Sequence, residues 1–162
     1  MMRSIFFKLG LVAMLGYFAS PSVSVAETAA EAQSRALLLF EKSCLRAFPN
    51  FEKVDAILAK EGFEKSKNGW VSSDGEFVNP AVELSGGGTA CIVTRQKTDA
   101  KGMAQGLANL LQRQKVQGLA VKATKGSKST AAFSKGGIGA KVVVSNLSNG
   151  RSKVASLTIF KN

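Results

Sequence analysis

Apolar residues in the first part of the chain recur at helical spacing. Four of them follow one another at steps of three and four and share one face of a helix predicted over residues 28–48: Leu37, Phe40, Cys44 and Phe48. Pro49 ends this helix, and Asn50 caps a shorter one that stops at Gly62. These side chains are expected to belong to a core and not to a ligand site.

Further along, the apolar residues fall in short segments separated by turn residues. Three strands are predicted here, over residues 70–72, 77–84 and 89–94. Pro80 places the second of them at a sheet edge or a bulge. Asp99 caps a helix that runs to about Gln114, although Gly102 and Gly106 each weaken it by roughly 1 kcal/mol. The buried stripe of that helix is predicted to be Met103, Leu107, Leu110 and Leu111.

The remainder of the chain is strand-like and ends in a hairpin. Asn149-Gly150 is typical of a type I′ turn between two antiparallel strands. Counting outward from this turn places the apolar residues on one face, in the pairs Val144–Ala155, Val142–Leu157 and Ala140–Ile159. Because this register agrees with the hydrophobic pattern, that face is predicted to be buried.

This order of elements predicts an α+β fold. Helices precede three strands, and a second long helix precedes about four more. An antiparallel sheet with the N-terminal helices and the mid-chain helix packed on one face satisfies the pattern. The order helix, strands, helix, strands would also fit a weak internal duplication.

Residues 1–26 are interpreted as a secretory signal peptide. Arg3 and Lys8 provide the positive start, residues 9–18 form a short apolar run, and Ser24-Val25-Ala26 has small residues where a signal peptidase cleaves. We expect cleavage after Ala26, a single domain over residues 27–162, and a periplasmic or secreted protein. An uncleaved membrane anchor is the alternative. No transmembrane segment is expected after cleavage, because no second apolar stretch approaches the length of a membrane span.

The predicted export changes how the two cysteines, Cys44 and Cys91, are interpreted. In an oxidising compartment the only cysteine pair of a chain is expected to form a disulfide. The alternative is a redox-active pair, but the chain has no C-x-x-C motif. If Cys91 points to the inner face of its strand, the bridge joins the first helix to the sheet.

Charge is distributed unevenly along the chain. Residues 27–94 hold seven Lys and Arg against ten Asp and Glu, whereas residues 95–162 hold thirteen against Asp99 alone. Such a basic half can be an ordinary solvated surface, or it can attract an anionic partner through a salt-sensitive interaction. The candidate anion-binding residues are Lys122, Lys125, Lys128, Lys135, Lys141, Arg151 and Lys153.

The composition of the basic half favours diffuse attraction over base reading. Lysine outnumbers arginine, and lysine is a point charge without the planar fork that recognises bases. Nucleic acid is not the expected partner, since Phe133 and Phe160 are too few for a stacking platform. An anionic envelope component (a lipid head group, lipopolysaccharide or an acidic polymer) or an acidic protein is expected instead.

The sequence has no histidine, which removes His-based general acid–base catalysis, Ser-His-Asp and Cys-His nucleophile systems, and nearly every zinc, copper or haem site. It also lacks a P-loop and, after residue 26, an S-x-x-K motif. We expect a non-catalytic binding protein without metal or cofactor. The alternative is a small periplasmic enzyme or enzyme inhibitor that uses a cleft between the first helix and the sheet, lined by Asp74, Glu76, Glu83 or Ser85.

One arrangement of residues within 40–95 resembles that of a known group of proteins. The shared features are Phe40, Cys44, Phe48-Pro49-x-Phe51, Gly62-Phe63, Trp70 and Gly88-x-x-Cys91. The chain resembles small, exported, uncharacterised proteins of Gram-negative bacteria over this region. The resemblance implies a periplasmic location and the Cys44–Cys91 disulfide. It implies no activity, and the lysine-rich half falls outside it.

Overall fold

The computed structural model of the protein describes residues 26–123, 128–147 and 153–162. Its helices are α1 (Ala29–Phe40), α2 (Val54–Lys60) and α3 (Ala100–Arg113), with a π-helical turn at Glu41–Leu45 and a 3-10 turn at Phe51–Lys53. Its strands are β1 (Glu64–Ser66), β2 (Gly69–Val71), β3 (Glu76–Glu83), β4 (Thr89–Gln96), β5 (Gln117–Ala123), β6 (Lys128–Lys135), β7 (Ile138–Asn146) and β8 (Val154–Lys161). In the part of the chain described, no helix is long and apolar enough to cross a membrane.

The helices begin where the sequence supplies capping side chains. Thr28 and Glu31 form a reciprocal capping box at the start of α1. The Asn50 side chain accepts a hydrogen bond at the entrance to the second helical segment, and the Asp99 carboxylate accepts one from the Gly102 N–H. The predicted caps at Asn50 and Asp99 are therefore confirmed.

The strands form one antiparallel sheet in the order β1-β2-β3-β4-β8-β7-β6-β5. Each half of the chain supplies helix first and then four consecutive, neighbouring strands, and the two halves meet where β4 pairs with β8. The α+β prediction is confirmed. Helices α1 and α3 pack on a single face of the sheet, and the element order repeats as a duplication would require.

The disulfide joins the helical layer to the centre of the sheet. Cys44 lies in the π-helical turn and Cys91 on β4, both are fully buried, and their Cα atoms are 5.5 Å apart. Val93, two residues further along β4, faces the same core. The prediction that the bridge staples helix to sheet is therefore confirmed.

Two details of the first half differ from the sequence prediction. A fourth strand, β1, precedes the three predicted ones and pairs only with the short β2. Its residues are all exposed, so no hydrophobic pattern marks it. The bulge expected at Pro80 is present between Asn79 and Val82, where the register of β3 against β4 shifts.

The register of the last hairpin corrects the sequence prediction. Val144 pairs with Leu157 and Val142 with Ile159, a shift of two residues from the predicted pairs. The predicted Asn149-Gly150 turn lies outside the described residues. The hydroxyls of Ser145 and Ser156 lie 2.9 Å apart in the observed register. A shift of two leaves every side chain on its predicted face, so hydrophobic pattern alone cannot exclude it.

The glycines of α3 have a packing role that helix propensity does not indicate. A Cβ atom on Gly106 would lie 2.4 Å from a methyl carbon of Leu37 on α1. The Gln33 side chain donates a hydrogen bond of 2.8 Å to the Gly102 carbonyl. These two glycines lower the helix propensity of α3, but they allow α1 to approach α3 closely.

Candidate functional site

The face of the sheet opposite the helices is the candidate binding surface, and we call it the open face. Along each strand, alternate residues point away from the core. On the four strands of the basic half they include three of the predicted lysines: Lys122 on β5, Lys128 on β6 and Lys141 on β7. Within the described residues no helix packs on this face.

Cross-strand neighbours show how the open face is composed. Lys122 pairs with Thr130, which pairs with Val143 and then Thr158. Lys141 lies between Ala132 and Phe160 in the next row. Lys122 and Lys141 belong to strands separated by one other strand, so their backbones are roughly 10 Å apart across the sheet. The surface thus presents lysines among small, hydroxyl-bearing and apolar side chains.

The electrostatics of this surface follow from the sequence. After Asp99 the chain contains no carboxylate side chain, so β5 to β8 carry lysines with no acidic residue between them. Val143 and Phe160 are partly exposed beside Lys141. Such a face attracts anions over a distance set by ionic strength, about 8 Å at 0.15 M salt.

Lys135 is in a different environment from the other predicted lysines. It lies on the helix side of the sheet, where its ammonium donates hydrogen bonds to the carbonyls of Leu45 and Arg46. Burial, together with the nearby Arg46 charge, lowers the pKa of Lys135 from its usual value. Its role is to tie the β6–β7 hairpin to the helical layer.

The remaining candidates do not belong to the open face as described. Lys153 is exposed and immediately precedes β8. Lys125 and Arg151 lie outside the described residues. Of the seven predicted positions, the structure therefore places Lys122 and Lys141 in neighbouring rows of the open face. Lys128, at the end of β6, also borders a cavity with Asp99, and Lys135 lies on the other face.

The cleft between α1 and the sheet contains the carboxylates considered for catalysis. A cavity of about 260 Å³ is lined by residues that include Asp74 and Glu76, whereas Glu83 and Ser85 lie elsewhere. The Asp74 carboxylate accepts a hydrogen bond from Arg35, which lowers the pKa of Asp74. This carboxylate is held in its charged form.

Glu76 belongs to a buried ion network that sequence reasoning missed. Arg95 is 2% exposed and forms ion pairs with Glu76, its cross-strand neighbour, and with Glu27, just before α1. The alternation that points Cys91 and Val93 inward also points Arg95 inward, so the strand pattern in the sequence could have predicted the burial of Arg95. Both cleft carboxylates are therefore paired with arginines, and the arrangement supports a structural role.

A second polar cluster joins α2 to the first hairpin. The Asp55 carboxylate accepts hydrogen bonds of 2.8 Å from the Lys65 ammonium and from the Trp70 indole N–H. The Lys65 ammonium also lies 5.3 Å from the centre of the Trp70 ring. The hydrogen bond from Lys65, followed by the one from Trp70, lowers the pKa of Asp55 against its partial burial.

This cluster predicts an acid-sensitive contribution to stability. Since the pKa of Asp55 is lowered by folding, its contribution is present above the ordinary value of 3.8 and is lost as pH falls through the lowered value. We expect Asp55→Asn to cost about 1 kcal/mol at pH 7, with the difference from wild type shrinking below pH 3.8. Denaturation followed by fluorescence of Trp70, the only tryptophan, measures this. A difference independent of pH would contradict the assignment.

Comparison of the chain with protein-family models, with curated proteins and with solved structures found no match.

Proposed function

We propose that the protein is an exported, non-catalytic binding protein whose basic half engages an anionic surface of the bacterial envelope. The observation that carries this proposal is the open face, on which Lys122 and Lys141 lie on strands that carry no acidic side chain. The predicted signal peptide and periplasmic or secreted location support an envelope component as the partner.

Anionic lipid head groups fit this surface better than an acidic protein does. The lysines of the face are separated by strand spacings, which suits an extended array of phosphates more than one deep site. Lysine ammonium groups attract phosphates as point charges without requiring a fixed geometry. The partly exposed Phe160 and Val143 add apolar contact beside the charges.

Vesicle binding tests the proposal. We expect the protein to sediment with vesicles containing phosphatidylglycerol, to remain free with phosphatidylcholine alone, and to dissociate as salt rises. Each lysine near an anionic membrane contributes about 1 kcal/mol, so Lys122→Gln with Lys141→Gln should weaken binding roughly 30-fold.

A matched pair of substitutions provides the control. Lys60→Gln with Lys67→Gln removes the same charge from exposed positions in the acidic half, and we expect it to leave vesicle binding close to wild type. If the two double variants weaken vesicle binding equally, net charge alone controls binding, and the open face is not the site. If the protein is retained on heparin but does not bind vesicles, the partner is a soluble acidic polymer and not a lipid surface.

A further inference from the structure

A large cavity lies on the helix side of the sheet, where the first helical segment meets the end of α3. It has a volume of about 660 Å³ and is formed where the π-helical turn, the end of α3 and the β6–β7 turn converge. We call it the π cleft. Its volume is within the range of small-molecule sites, about 300–1,000 Å³.

The π cleft has apolar walls. Leu38 on α1 is 50% exposed, an unusual position for so large an apolar side chain, and it borders the cleft together with Leu45 and Val116. Leu45 is buried and Val116 half-buried, so the apolar surface continues from the rim into the core.

The rim of the π cleft is cationic. Lys42, Arg46 and Lys115 line it and are exposed. The lining has one carboxylate, Glu41, and its oxygen accepts a hydrogen bond from the Gln114 side chain across the cleft. Lys42 has a distant, exposed ion pair with Glu61 at 3.9 Å, which contributes little. The net field at the entrance therefore favours an anion.

The walls of the cleft are held in place. The Lys135 ammonium bonds the carbonyls of Leu45 and Arg46, and the disulfide of Cys44 fixes the same turn to β4. The Ser43 hydroxyl donates a hydrogen bond of 2.6 Å to the Leu39 carbonyl. Single π-helical turns are rare within α-helices and occur frequently at functional sites.

We infer that the π cleft binds a single-chain anionic amphiphile, an acyl chain with a phosphate or carboxylate head group. The acyl chain would contact Leu38, Leu45 and Val116, and the head group would lie among the cations of the rim. A simple anion would leave the apolar walls exposed, and a neutral amphiphile would leave the cations without a partner. The π cleft is a separate site from the open face, because neither Lys122 nor Lys141 lines it.

Titration calorimetry of the mature protein with four probes tests this inference. We expect lauryl phosphate and laurate, each below its micelle-forming concentration, to bind with a negative heat-capacity change that reports apolar burial. The probe with the higher affinity identifies the preferred head group. Inorganic phosphate and lauryl maltoside should bind at least tenfold more weakly; equal binding of either one would overturn the inference.

Variants matched in exposure locate the site. Leu38→Asp and Arg46→Glu should each weaken lauryl phosphate binding roughly tenfold or more. Leu147→Asp, at a residue 54% exposed, and Lys67→Glu should leave it unchanged. Because all four positions are exposed, the variants are expected to fold, which circular dichroism checks. Binding that survives both cleft variants would overturn the assignment. Lys122→Gln with Lys141→Gln should not alter it, which separates this result from the outcome at the open face.

Discussion

Val142→Asp is expected to abolish folding of the domain. Val142 is fully buried on β7, paired with Ala131 on one side and Ile159 on the other, beneath the helical layer. An aspartate there would place a carboxylate in an apolar interior without a partner, at a cost of several kcal/mol. That cost is comparable to the 5–15 kcal/mol by which domains are usually stable. Soluble yield, circular dichroism and size-exclusion chromatography measure the outcome.

The adjacent residue supplies the control for this prediction. Val143 is half-buried on the open face, so Val143→Asp makes the same chemical change on the same strand without burying a charge. We expect that variant to fold with a loss of about 1 kcal/mol. A cooperatively folded Val142→Asp protein with the stability of Val143→Asp would contradict the assignment of the two faces.

Loss of the disulfide is expected to lower the free energy of unfolding by about 4 kcal/mol. The bridge closes a loop of 47 residues, and restricting such a loop in the unfolded chain has an entropic effect of that size. Denaturant unfolding of the protein with and without a reducing agent measures it. The double variant Cys44→Ala with Cys91→Ala should lose at least as much stability as the reduced protein.

Two comparisons make this result specific. Reducing agent should leave the double variant unchanged, since no other cysteine exists in the chain. Both cysteines are fully buried, so the alanine variant adds a small packing loss that reduction alone does not. A reduced protein as stable as the oxidised one would show that the bridge does not constrain the unfolded chain.

Local signals account for most elements of this fold. Capping residues such as Asn50 and Asp99 act within one helical turn, and their hydrogen bonds are present. Period-two alternation places Cys91 and Val142 on the buried face for a similar reason: it depends only on neighbours along the chain. β1 was missed because its three residues are exposed and carry no alternation.

Features that join distant parts of the chain required the tertiary structure. β8 is paired with β4 on one side and β7 on the other, so its register has to satisfy both strands. The side chain of Asn146 accepts a hydrogen bond from the Ala100 N–H at the start of α3. No pattern within the hairpin contains this information, and the strand register counted outward from Asn149-Gly150 was wrong for that reason.

The candidate sites also combine features that local signals predict with features that depend on contacts between distant residues. Charge asymmetry and strand alternation, both readable in the sequence, already indicate a basic sheet face bearing Lys122 and Lys141. The position of Lys135, the burial of Arg95 and the π cleft all depend on how α1 lies across the sheet. The sequence by itself determined most of the elements, the disulfide partners and the sign of the charge on the basic half, because these follow from local geometry and composition. Only the tertiary structure decided which cations share a surface, because that depends on contacts between residues far apart in the chain.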